Sequence, residues 1–135
     1  MLKKEEIKQY LNDNRITFNE NCYILASAYS IDNVEVYSKL QKDNVMKLNI
    51  IHFSNEGIAI IGVNEKTWKI VNSYFIYIPK IEVKDVVFKK KVFSYDLSII
   101  TERGVNNYKV TKKISGLHWH NINLKNLVKL FNRES

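Results

Sequence analysis

At 135 residues the chain is long enough for one domain with a real hydrophobic core, and its 45% hydrophobic and 26% charged content is that of a soluble globular protein. No run approaches the roughly 18 apolar residues of a membrane span, and the N-terminus MLKKEEIKQYLNDN has charges where a signal peptide needs an apolar stretch, so a cytoplasmic protein is expected. The formal charge of +7 is uneven: residues 1–79 hold 9 basic and 9 acidic residues, whereas residues 80–135 hold 12 and 5, so an electrostatic partner meets the C-terminal part.

Residues 3–13 place Ile7, Tyr10 and Leu11 at helical spacing, with Glu5 and Glu6 near the start and Asn12, Asp13 and Asn14 at the end. This predicts a short amphipathic helix within residues 1–14. Cys22, the only cysteine, excludes an internal disulfide and fits a reducing compartment; its expected role is that of a small buried hydrophobe.

From residue 22 the texture changes to short β-branched and aromatic runs separated by polar turns. Strands are expected at 22–30, 45–53, 58–63, 73–79, 83–90, 93–101 and 108–113, an antiparallel β body over residues 22–113. SNEG at 54–57, NEKT at 64–67 and ERGVNN at 102–107 read as hairpin loops, and Pro79, the only proline, stands at a strand end. In FSYDLSIIT, Phe93, Tyr95, Leu97 and Ile99 alternate with Ser94, Asp96 and Ser98, which predicts one buried face and a solvent-facing Asp96. Residues 31–44 are ambiguous between a loop, a short helix and a further strand.

The period then switches. Leu124, Leu127, Val128 and Phe131 fall at i, i+3, i+4 and i+7, predicting an amphipathic helix over 121–133, with Asn121 or Asn123 as N-cap and Lys129 and Arg133 at its negative pole. There is no internal repeat, low-complexity tract or linker, so residues 1–135 read as a single domain.

This order of about seven antiparallel strands and one C-terminal helix resembles the pleckstrin-homology-like (PH-like) domains, in particular the small bacterial ones. The likeness is carried by ILASAYS in the first strand, SNEGIAIIG in the second hairpin, IPKIEVKDVVFKKKVFSYDLSII across the fifth and sixth strands, and Gly116, Leu117 and Trp119 before the helix. It implies a mainly β fold, a partly open barrel whose end the C-terminal helix closes, and a binding or assembly module without catalysis. Lipid-binding members hold inositol phosphates with basic residues on the first strand and the loop after it. Here that loop mixes Asp32, Glu35 and Asp43 with Lys39 and Lys42, so the phosphoinositide motif is absent.

Three site readings follow from the residues. His118 and His120, at i and i+2 before the helix, would point the same way on a strand, but zinc needs about three or four ligands. His52 is the only other histidine and no HExxH or cysteine pair is present, so no metal or other cofactor is expected. Leu117 and Trp119 are expected in the core, with the two histidines outward. No nucleophile stands beside a base and no carboxylates converge, so an enzyme has no positive support.

The basic cluster has geometric content. In a meander of the fifth to seventh strands, Lys89, Lys90 and Lys91 share one end of the sheet with Lys112 and Lys113. This rim is the candidate binding site, able to attract anionic lipid or a phosphate backbone, or else a solvated edge that resists aggregation. It lies opposite the usual PH-like lipid pocket. The basic residues are nearly all lysine, which disfavours sequence-specific nucleic-acid recognition. A protein partner or self-association is therefore the leading expectation; a basic β-domain binding nucleic acid or an anionic membrane surface is the alternative.

Overall fold

A computed structural model describes residues 2–29 and 46–132. Helix α1 (Lys4–Asp13) precedes strands β1 (Tyr23–Ala28), β2 (Leu48–Phe53), β3 (Gly57–Val63) and β4 (Ile70–Pro79). A 3-10 turn (Lys80–Glu82) leads into β5 (Val83–Lys90), β6 (Ser94–Thr101) and β7 (Gly104–Thr111), and helix α2 (His118–Phe131) ends the fold. The seven strands form one antiparallel sheet in the order β4-β3-β2-β1-β7-β6-β5, so β4 and β5 are its edges and it does not close. This is the mainly β class, with two flanking helices, that the sequence pattern led us to expect.

Strand alternation sorts the core into two clusters. Ile24, Ile51, Phe53, Ile58, Ile60, Val86, Phe88, Leu97, Ile99 and Val110 gather on one face, and Leu124 and Leu127 of α2 close over them. Because strands across the whole sheet contribute to that cluster, the sheet curls around it. The intervening residues Tyr23, Leu25, Ile50, Ala59 and Ile61 meet Ile7 and Leu11 of α1 in a second cluster on the opposite face. β1, β2 and β3 are thus covered on both sides, which is why they read as nearly continuous apolar runs while β6 and β7 alternate. The Glu6 carboxylate helps to start α1 by accepting the Lys3 backbone N–H at 3.2 Å.

The β2–β3 turn depends on Gly57. Its φ is 156°, and a Cβ placed there would lie 2.2 Å from the Ile78 carbonyl oxygen, so any other residue would part β3 from β4.

Four expectations need correction. The loop expected at 102–107 is only Glu102 and Arg103, because Val105, Asn106 and Asn107 pair with β6. The C-terminal helix starts at His118, its N-cap position is Leu117, and no side chain caps it. Asn121 and Asn123 lie inside the helix and use their amides for tertiary contacts: Asn121 Oδ1 accepts the Ile114 N–H at 2.8 Å, and Asn123 Nδ2 donates to the Tyr23 carbonyl at 3.0 Å. Phe93 is not an inward strand residue; it lies in the β5–β6 turn and is exposed. Asp96 is half-buried rather than fully solvent-facing, since it accepts the Tyr29 hydroxyl and lies 3.6 Å from Lys91 Nζ. Residues 31–44 and Arg133 lie outside the described residues.

Candidate binding site

β5 and β7 both run antiparallel to β6 and end at the same end of the sheet, at Lys90 and Thr111. The structure therefore brings Lys89, Lys90, Lys91, Lys112 and Lys113 to one rim, as the meander geometry requires. They are not equivalent. Lys91 faces Asp96, and Lys112 turns inward: its Nζ donates to the Val92 carbonyl at 3.1 Å and stands 5.3 Å from the Tyr95 ring centroid. Lys89, Lys90 and Lys113 are exposed.

A second feature lies at the other end of β5. A groove of about 430 Å³ opens between the last turn of α2, the β2–β3 hairpin and the 3-10 turn. Phe53, Ile58, Val83, Val86, Leu130 and Phe131 make its walls apolar, and Lys80 is the one charged side chain among its described lining residues. Tilted aromatic contacts build this wall: Phe131 packs against Phe53 at 5.3 Å and Phe88 at 6.1 Å between ring centroids. Cys22 also lines the groove. It is half-buried against the interior cluster, and burial pushes its thiol pKa up, so it stays a thiol rather than a nucleophilic thiolate.

The groove borders the open edge of β5, yet that edge is partly satisfied. The Asp85 carboxylate accepts the Val86 N–H at 2.8 Å, and Asn132 Nδ2 donates to the Phe88 carbonyl at 2.7 Å. With Lys84, Lys89 and Lys90 also exposed along it, β5 is protected against addition of another strand. What the groove presents is thus its side chains rather than a free strand edge.

The histidines answer to packing. His118 opens α2 and is exposed, but His120 is fully buried, contrary to the outward placement expected for both. Its Nδ1 accepts the Leu25 N–H at 3.0 Å, which fixes the tautomer so that Nε2–H donates to the Thr111 carbonyl at 2.7 Å. Placing the two residues on a helix instead of a strand turns them to different sides. Both ring nitrogens of His120 hold the start of β1 and the end of β7 together, leaving no lone pair for a metal. His52 is buried on β2, where its Nε2 accepts the Asn19 N–H at 2.9 Å and its ring stacks on Phe18. Burial lowers both pKa values, that of His52 to about 4. Among the described residues no three His, Cys, Asp or Glu side chains form a metal-holding group. None of the described helices is long and apolar enough to cross a membrane.

The apolar groove residues come from β2, β3, β5 and α2, so no local motif announces them; Leu130, exposed and off the stripe of Leu124, Leu127, Val128 and Phe131, interrupts the polar helix face, as Ile122 does nearer the helix start. No family model, curated protein or solved structure matches the chain.

Proposed function

We propose that this chain is a non-catalytic, bacterial PH-like binding module of the cytoplasm that holds an apolar side chain of a partner protein in the groove between α2 and the β2–β3 hairpin, with a neighbouring carboxylate of the partner on Lys80. The order of seven strands and a closing helix supports the PH-like reading. The observation that carries the binding role is the groove itself: a preformed apolar hollow with one cation in its lining. Its opening beside the end of α2 leaves Leu130 half exposed, at 48%, where a partner can cover it. His120, which bonds backbone through both nitrogens, and Asp96, which binds Tyr29 and Lys91, are engaged in holding the fold.

Selection of a random peptide library on the immobilised protein tests this reading. Enriched peptides are expected to share a large apolar residue close to Asp or Glu. Their affinity should fall at least tenfold with Leu130→Lys, which charges the groove wall, and severalfold with Lys80→Glu, which reverses the one charge among the described lining residues. Both side chains are exposed enough for folding to survive the changes. Peptides that bind the two variants as well as the original protein would place the partner elsewhere.

A further inference from the structure

The β5–β6 hairpin closes through the Lys91 N–H, which donates to the Ser94 carbonyl at 2.8 Å, so Val92 and Phe93 form its apex. Tight turns ordinarily take Gly, Asn, Asp, Ser or Pro, because these residues meet the backbone demands of the turn or bond to it. Neither Val nor Phe does so, and here they extend into solvent with 77% and 82% of their surface exposed. Scattered exposed hydrophobes are common on proteins, but two adjacent ones at the tip of a projection, inside a ring of lysines, form a composite surface.

The apex is also held in place. The Lys112 backbone N–H donates to the Phe93 carbonyl at 3.0 Å, and its Nζ to the Val92 carbonyl at 3.1 Å. Both tip carbonyls are thus tied back to the end of β7, and the two side chains are left exposed to solvent. Around them stand Lys89, Lys90 and Lys113, all exposed, while Asp96, the one carboxylate opposite Lys89 in the strand register, is engaged by Tyr29 and Lys91.

We propose that this hairpin docks the protein on an anionic bilayer surface, Val92 and Phe93 entering the interfacial layer while Lys89, Lys90 and Lys113 meet lipid headgroups. An apolar tip inside a cationic ring matches the two layers that a protein meets there: charge at the headgroups and hydrocarbon just below. Single-stranded nucleic acid would use Phe93 for stacking and the lysines for phosphates, but it has no use for an exposed aliphatic residue beside the ring. This site lies at the opposite end of β5 from the groove residues Val83 and Val86, so its test is independent of the peptide experiment.

The experiment is co-sedimentation of the full chain with vesicles of phosphatidylcholine alone or with about a third phosphatidylserine, alongside titration of a labelled single-stranded oligonucleotide. Binding is expected only to the anionic vesicles. Val92→Ser with Phe93→Ser should reduce partitioning about tenfold or more, since both lost side chains enter the apolar layer. Lys89→Gln, Lys90→Gln and Lys113→Gln should each reduce it about fivefold at low salt. Circular dichroism melts should be unchanged in all these variants. Vesicle binding unaltered by the double serine variant would overturn the proposal, as would failure of the original protein to bind anionic vesicles. Submicromolar oligonucleotide binding that depends on Phe93, without vesicle binding, would overturn it in favour of nucleic acid.

Discussion

Removal of residues 121–135 is expected to abolish cooperative thermal unfolding. The deleted stretch carries Leu124 and Leu127, both fully buried in the interior cluster, and the half-buried Val128 and Phe131 packed against it. Full burial of such a side chain contributes roughly 1.5–3 kcal/mol. Two such side chains and two half-buried ones together reach the lower part of a whole domain's stability, about 5–15 kcal/mol. The deletion also removes Asn123, whose buried amide donates to the Tyr23 carbonyl, and exposes the aromatic cluster of Phe53, Phe88 and Tyr95. A truncated chain that retains a sharp melt near the original temperature would show that α2 is an accessory rather than the lid of the sheet.

The second large effect is a loss of stability in mild acid. His52 is held neutral by burial, with its pKa lowered to about 4, against about 6.5 in an unfolded chain. Above pH 6.5 neither state binds the proton and the group adds no pH dependence. As the pH falls below that value the unfolded chain takes up a proton that the folded one refuses, so stability declines until about pH 4 and then levels for this group. At 1.36 kcal/mol for each pH unit between the two values, the decline is roughly 3 kcal/mol. His120, lowered by its burial, acts in the same direction, and protonation of its Nδ1 would set a donor against the Leu25 N–H. Urea unfolding at intervals from pH 7.5 to 4 measures the effect. Carboxylates also titrate in this range, so the telling quantity is the difference between the original protein and His52→Gln. The variant's stability should decline less steeply below pH 6.5, by about 3 kcal/mol over the range; parallel curves would mean that His52 becomes charged without cost.

The sheet was legible in the sequence because its elements are local. Strand β5 matches residues 83–90, and the lysine rim followed from antiparallel pairing alone, since strand direction decides which residues share an end. The helical stripe Leu124, Leu127, Val128 and Phe131 likewise names the residues that pack under α2. What escaped depended on long-range contacts. The role of α1 as a cover for the second face of β1–β3 is invisible in its own amphipathic pattern, although the nearly continuous apolar runs ILA and NIIHF are its signal. His120 was expected outward because an i, i+2 reading suits a strand, whereas a helix beginning at His118 carries it under β1. The parity of Phe93 matches Leu97 and Ile99 and reads as inward, but the turn comes first: Lys91 pairs with Ser94 and leaves Phe93 at the apex. The groove needed four separate elements to meet, a coincidence of tertiary structure that no short motif records.

Entry of a partner's apolar side chain into the groove would be seen in backbone amide NMR spectra of the uniformly ¹⁵N-labelled full chain, recorded as an enriched peptide is added. Saturable shifts are expected to concentrate at Ile58, Val83, Val86, Leu130 and Phe131, with Lys80 among them and the β5–β6 apex unmoved. Saturable shifts confined to residues 89–93 and 112–113, or spread along the free edge of β4, would contradict it.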